Sequence, residues 1–343
     1  MIRTTRLLSR RPVAVFLNAG RLDYDKQLDF SRLESLCDLR RHDVDKMTDP
    51  AEILAQVQGA EIVITKEMPV PALVFSSFPD SVKLLCEAGT GYNNLPVKEA
   101  RSRGILVCNV PTYSTEAVAH MAITYLMNLS VSMFDQQRML LQGDRRNFTG
   151  PFTLPLTELN NKTIGLVGGA GMIGSKVADI CLALGMKVII STRAGKLSES
   201  HRLANHPDVS AVKDLEPLLR NSDYVSIHCP LNDETRGSFG RAQLEMMKPT
   251  AYLINTSRGA ICNEQELIQA LKDGVIMGAG LDVTTTEPPP EDSEIWNLPN
   301  CWLTPHTGWR RIETRQRLVD MTADSIEAYC KATTEADMVN VVN

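Results

Sequence analysis

No apolar run in this 343-residue chain approaches the roughly 18 to 20 residues that a bilayer-spanning helix requires. Positive charge is also short. The 36 Lys and Arg against 41 Asp and Glu leave a net charge of −5, which gives no electrostatic footprint for nucleic acid or an anionic membrane. A small anionic substrate would need a local basic site inside an acidic protein. The eight cysteines (37, 86, 108, 181, 229, 262, 301 and 330) contain no CxxC pair. Cys86, Cys108, Cys229 and Cys301 lie in apolar, strand-like runs, where a thiol behaves as a small hydrophobe. This pattern argues against a disulfide framework or a bound metal and fits a reducing compartment, the cytoplasm.

Acid is missing at the start: none precedes Asp23, while Arg3, Arg6, Arg10 and Arg11 stand among Thr4, Thr5 and Ser9. Residues 1–11 therefore have the composition of a mitochondrial transit peptide but are short for one. A basic tail on a cytoplasmic protein and a leader to the mitochondrial matrix both stand as readings.

What the chain does have is length for two cores and a repeated strand–helix alternation. Short β-branched runs at 13–17, 62–65, 82–86 and 106–109 form one series of predicted strands. Runs at 163–168, 187–191, 224–228, 251–255, 277–282 and 302–304 form a second. Near-continuous hydrophobic strands separated by helices predict parallel sheets covered on both faces, hence two doubly wound α/β domains. Near residues 111–115, Ser114 and Thr115 open a long helical pattern carrying Val118, Met121, Ala122, Tyr125, Leu126 and Leu129. Residues 143–155 read as a loop. A further helical pattern follows Trp309, after the last strand of the second series, so the chain end is free to return to the first domain. The expected division is 12–114 with 309–343 for one domain and 115–308 for the other.

Between the strand at 163–168 and a helical pattern from Ser175 lies Gly169-Ala170-Gly171-Met172-Ile173-Gly174. In that setting the first glycine permits a tight turn, the second admits a pyrophosphate, and the third lets helix and strand pack closely. Gly168 also precedes the turn, so the first motif glycine is uncertain by one position. The next strand ends Ser191-Thr192-Arg193, without the carboxylate that binds a ribose 2′-hydroxyl in NAD-selective folds. Arg193 can pair with a 2′-phosphate instead, which favours NADP(H), with NAD(H) possible.

Together, several segments give the chain its likeness to a known family. They are 89–94 (Gly-Thr-Gly-Tyr-Asn-Asn), 109–119, the glycine turn, His228-Cys229-Pro230-Leu231, Asn255–Gly259, Gly280–Pro288 and Thr304–Trp309. In these it resembles the D-2-hydroxyacid dehydrogenases over nearly all of its length after the N-terminal tail. Trp309, 315–318 and 340–343 resemble the glycerate dehydrogenase (hydroxypyruvate or glyoxylate reductase) branch. The resemblance implies two Rossmann-like domains, the nucleotide domain inserted into a discontinuous substrate domain, and a homodimer held by the helix that begins near Thr115. It also implies that Asp282 lies by the nicotinamide carboxamide. Met172, Ile173, Ser191, Thr192, Cys229, Pro230, Thr256, His306 and Gly308 are the further cofactor residues it suggests.

The expected chemistry is reduction of a small 2-oxo acid to the D-2-hydroxy acid. His306 is the proton donor, because imidazole titrates near working pH. Glu287 fixes its tautomer and favours the imidazolium. Arg258 binds the carboxylate and polarises the carbonyl. The amides of Thr90 and Gly91 are candidates to complete the carboxylate site. His228 is expected to pack near the cofactor and His120 to sit on a helix or interface. The resemblance has departures: Asn93 and Pro96 stand where the family usually has Asp, and Cys262-Asn263 replaces a Val-Asp-type pair. D-lactate or broader 2-hydroxyacid dehydrogenase activity is the alternative, and a nucleotide-sensing, corepressor-like protein is a third reading from another class.

Overall fold

The computed structural model describes residues 11–343, and the tail reading falls almost wholly outside them. The chain divides into two compact units: one runs to Ser114 and resumes at Trp309–Asn343, and the other is Thr115–Gly308.

The first unit holds a five-stranded parallel sheet. Its strands are β1 (Val13–Phe16), β2 (Asp38–Arg41), β3 (Ile62–Thr65), β4 (Leu84–Glu87) and β5 (Leu106–Cys108), in the order β2-β1-β3-β4-β5. Successive side chains of a strand point to opposite faces, and here both faces are covered. Ala14, Phe16, Ile62, Ile64, Leu84 and Cys86 pack in one core with Trp309, Leu318 and Ile326. Val15, Val63, Leu85 and Val107 pack in another with Ile53 and Phe75. The helix Ile312–Lys331 is thus anchored by its buried stripe to the first of these cores. Beyond it, Val341 forms an antiparallel bridge with Cys108, and Asn343 Oδ1 accepts from the Val107 amide at 2.9 Å.

The second unit is a seven-stranded parallel sheet. Its strands are β6 (Thr163–Val167), β7 (Lys187–Ser191), β8 (Val209–Val212), β9 (Tyr224–Ile227), β10 (Tyr252–Asn255), β11 (Gly278–Leu281) and β12 (Cys301–Leu303). They lie in the order β12-β11-β10-β9-β6-β7-β8, a doubly wound topology that changes direction between β6 and β9. Ile164, Leu166, Ile190 and Ile254 pack against the helices Thr115–Val131 and Met172–Ala183, while Val225, Ile227, Leu253 and Ala279 fill the opposite core. The Tyr125 hydroxyl, on the first of these helices, donates to the Leu281 carbonyl at 2.9 Å and lies 2.7 Å from Thr304 Oγ1.

The two-domain α/β architecture is the predicted one, and two strands add to it. β2 reads Asp-Leu-Arg-Arg and is largely exposed, and β8 is short and partly exposed. Both lie at sheet edges, where the continuous hydrophobicity used to find the central strands is not required. The long helical pattern from Thr115 stops at Val131, because Ser132 takes a left-handed conformation (φ 49°), and a second helix runs Met133–Leu141. The segment expected as a loop contains one short helix, Arg146–Thr149. Among the described residues no single helix is long and apolar enough to cross a membrane.

Candidate active site

The candidate catalytic and cofactor residues of the second unit lie at or just past the carboxyl ends of its strands, the edge where open parallel sheets receive ligands. Two groups form along that edge. The glycine turn follows β6, which β7 and β9 flank, since Val167 is the register partner of both Ser191 and Ile227. The Arg258, Glu287 and His306 loops follow the adjacent strands β10, β11 and β12, where Asn255 aligns with Leu281 and Leu281 with Leu303.

In the first group the tight turn belongs to Gly168, not to Gly169. Gly168 has φ +78°, and a Cβ there would stand 2.7 Å from the Cys229 nitrogen. Gly169 and Gly174 make the close helix–strand contact instead, since a Cβ on Gly174 would lie 2.5 Å from the Gly169 Cα. Gly171 caps the helix Met172–Ala183, with Met172 exposed and Ile173 partly so. A Cβ on Gly171 would meet nothing nearer than 3.4 Å, so the backbone beside the helix start is accessible to a pyrophosphate. Ser191 Oγ accepts from the Gly168 amide at 3.4 Å, and the Thr192 amide donates to the Val212 carbonyl at 2.9 Å. Cys229 and Pro230 leave β9 beside the turn. Thr256, just past β10, has a buried hydroxyl with no hydrogen-bond partner. An orphaned donor of this kind, with the open Gly171 turn, fits a dinucleotide.

The second group is organised around Asp282, which is buried. Its Oδ1 accepts from the Thr307 amide at 2.8 Å and the Thr304 hydroxyl at 2.5 Å, and its Oδ2 accepts from the Gly308 amide at 2.8 Å. The Asp282 carbonyl accepts from the His306 amide at 2.9 Å. These bonds hold His306 in the left-handed region, φ 52°, sparsely populated for residues other than glycine. The imidazole that results is mostly enclosed, and its Nδ1 lies 2.8 Å from Glu287 Oε2. An ionised carboxylate only accepts, which assigns the hydrogen of this contact to Nδ1.

Arg258 stands in extended conformation ahead of the short helix Gly259–Ile261, and its Nη1 donates to the Ser257 carbonyl at 2.9 Å. Its loop is braced from both sides. Asn255 Nδ2 donates to the Arg258 carbonyl at 3.0 Å, and the Ser257 hydroxyl donates to the Cys229 carbonyl at 2.5 Å. Glu264 Oε2 accepts from the Thr285 amide at 2.7 Å, tying this loop to the one that carries Glu287. The fold therefore brings the Arg258, Glu287 and His306 loops together.

Thr90 and Gly91 belong to the first unit, on the loop after β4. That loop is built over a buried carboxylate: Glu87 accepts from the Glu67 amide at 2.7 Å, and from Thr65 Oγ1 and Asn94 Nδ2 at 2.9 Å each. Burial raises the Glu87 pKa, against the charge of the buried Lys66 beside it. Lys66 Nζ lies 3.0 Å from Glu67 Oε1 and 3.9 Å from the centroid of the Trp309 ring. Asn94, next to the position where an acid was noted as missing, thus clasps the base of the loop. Thr90 Oγ1 donates to the Val110 carbonyl at 3.2 Å, and Asn109 Nδ2 donates to the Thr90 carbonyl at 2.7 Å. His120 is exposed on its helix, 3.9 Å from Glu116.

Sequence reasoning did not anticipate Asp282 as the organiser of the His306 turn, nor Tyr125 as the support of Thr304. The signal for Asp282 was its place at the end of an apolar strand, where a buried acid must find donors.

Residues 123–308 match the family described as D-isomer specific 2-hydroxyacid dehydrogenase, NAD binding domain. The chain is 34% identical over 320 residues to a hydroxypyruvate reductase of Blautia hydrogenotrophica, covering 92% of this chain and 95% of that one. A solved NADPH-dependent glyoxylate/hydroxypyruvate reductase of Sinorhizobium meliloti, in complex with NADP and malonate, is similar with TM-score 0.79 and 26% identity over 97% of each chain. An acyclic imino acid reductase solved with NADPH and D-Arg gives TM-score 0.81 and 26% identity, covering 96% of this chain and 99% of that one.

His228 sits beside the glycine turn, its Nε2 2.9 Å from Ser226 Oγ, and burial pushes its pKa down from 6.5 to about 4. Between those values the unfolded chain binds a proton that the folded chain does not, so stability falls as pH falls through that window. The melting temperature is expected to drop from pH 6.5 toward pH 4, and less steeply in His228→Gln. Identical slopes for the two proteins would contradict the assignment.

Proposed function

The chain belongs to the D-isomer-specific 2-hydroxyacid dehydrogenase family, and we propose that it reduces a small 2-oxo acid, hydroxypyruvate or glyoxylate, to the 2-hydroxy acid, of D configuration where the product is chiral. The observation that carries this reading is the 2.8 Å contact between His306 and Glu287 on the turn that Asp282 holds. A nicotinamide cofactor supplies the hydride to the carbonyl carbon when bound. The protein's part is the other half of the reduction. His306 donates the Nε2 proton to the carbonyl oxygen as the C–O double bond becomes single. Glu287 keeps Nδ1 protonated and stabilises the imidazolium before transfer. Arg258 binds the substrate carboxylate through its planar fork and fixes which carbonyl face is presented. The substrate choice is supported by relatives named for hydroxypyruvate and glyoxylate.

NADPH is the proposed cofactor of preference. Arg193 lies just past β7, where NAD-selective folds carry an acid, and its side chain is exposed. The proposed assembly is a homodimer. Met127, Met133, Leu141, Phe148, Phe152 and Leu156 are all exposed apolar side chains within residues 127–156 of the second unit, which supports an interface there. Light scattering of the purified chain is expected to give the mass of two copies, and a monomer at micromolar concentration would contradict this.

Oxidation of NADPH and NADH with glyoxylate, hydroxypyruvate, pyruvate and phenylpyruvate tests the activity, with hydroxypyruvate or glyoxylate expected to give the highest kcat/KM. His306→Ala is expected to lower kcat by about two to four orders of magnitude, the range of general acid catalysis. Turnover close to wild type would remove His306 from its role.

A further inference from the structure

The sequence shows no acid at the end of β7, yet the fold supplies one from elsewhere. Arg193 lies just past β7, and Glu234 lies in the loop that follows β9. Those strands flank β6, the bearer of the glycine turn, and the sheet changes direction between β6 and β9. That is the crevice in which a doubly wound sheet takes a nucleotide. The two side chains meet across it: Arg193 Nη2 donates to Glu234 Oε2 at 3.1 Å, with the side chains 88% and 76% exposed. An exposed ion pair adds little to stability, so its interest lies in its position.

Glu234 is held there by its own loop. Asn232 Oδ1 accepts from the Glu234 amide at 3.0 Å and the Thr235 amide at 2.9 Å. Thr235 Oγ1 in turn donates to the Pro230 carbonyl at 2.7 Å. This is an Asx-type turn, whose side chain closes the backbone and aims the next residues. On the Arg193 side, Thr192 Oγ1 donates to the Lys196 carbonyl at 3.1 Å, which closes the start of that loop.

We infer that Glu234 is a specificity-determining residue for the cofactor, a carboxylate supplied from the β9 loop that tempers the preference of Arg193 for a 2′-phosphate. The inference rests on Arg193 as the partner of that phosphate. With a 2′-phosphate present, the guanidinium must be shared between two anions, and Glu234 repels the phosphate directly. With a 2′-hydroxyl, the carboxylate has a donor to accept from, as the strand-end acid does in NAD-selective folds. The pair therefore equips the site for both cofactors and sets the ratio between them. Nothing in the strand-end signature alone shows this, because the acid lies 41 positions further along the chain.

The test is equilibrium titration of the full-length protein with NADPH and with NADH, followed by nicotinamide fluorescence without any oxo acid. Glu234→Gln is expected to shift the ratio of dissociation constants toward NADPH by roughly three- to tenfold at low ionic strength. The shift should shrink in high salt, as a screened interaction between exposed charges must. Arg193→Ala is expected to shift the ratio toward NADH. If Arg193→Ala does so and Glu234→Gln leaves the ratio unchanged, the role of Glu234 is refuted while that of Arg193 stands. If Arg193→Ala affects both cofactors equally, the 2′-phosphate assignment itself fails.

Discussion

The Asp282 carboxylate accepts from the amides of Thr307 and Gly308 and from the hydroxyl of Thr304, and its own carbonyl accepts from the amide of His306. A buried anion without donors would be very costly, so the segment after β12 is drawn into a turn around it. That turn places His306 at a positive φ, a strain of about 1 to 3 kcal/mol that persists because the surrounding bonds over-determine it. Its ring is then directed at Glu287. Gly308 closes the same turn, and a Cβ there would stand 2.8 Å from the Asp282 carboxylate. Tyr125 extends the network into the core through Thr304. Pre-organisation of the His306–Glu287 contact is therefore a consequence of satisfying one buried carboxylate.

The second unit divides its labour along a single sheet edge. Strands β6, β7 and β9 are followed by the glycine turn and the loops beside it, and β10 to β12 by the loops that carry Arg258, Glu287 and His306. Parallel strands in register make this possible, because each loop begins at nearly the same height. Loops after neighbouring strands are thereby adjacent in space although far apart in sequence. The Thr285 amide on Glu264, the Ser257 hydroxyl on the Cys229 carbonyl and the Arg193–Glu234 pair all link loops in this way.

Much of this was legible in the sequence. Central strands buried on both faces are nearly continuous in hydrophobicity, and their runs marked β1, β3, β4, β6 and β9 to within a residue or two. The apolar edge strands β5 and β12 were legible too, but the polar edge strand Asp38–Arg41 was not, since it keeps only one neighbour and can be polar. Arg258, Glu287 and His306 were found by residue type and order, and the fold brings their loops together. What sequence order does not contain is which donors a buried group will find. Asp282 was expected beside the nicotinamide from the family resemblance, and the donors its oxygens find in the turn were not contained in that expectation. The left-handed glycine proved to be Gly168, where the chain leaves β6 at φ +78° against the Cys229 backbone. Glu234 was invisible because its relevance depends on a contact across β6.

The central claim is that Asp282 acts by shaping the His306 turn, and Asp282→Asn tests it most directly. The amide keeps the volume but turns one acceptor into a donor facing the turn's own N–H groups. The account predicts that kcat for oxo-acid reduction falls by about ten- to a hundredfold, as a misplaced acid would cause, while the NADPH dissociation constant moves little. A variant with wild-type kcat would contradict it.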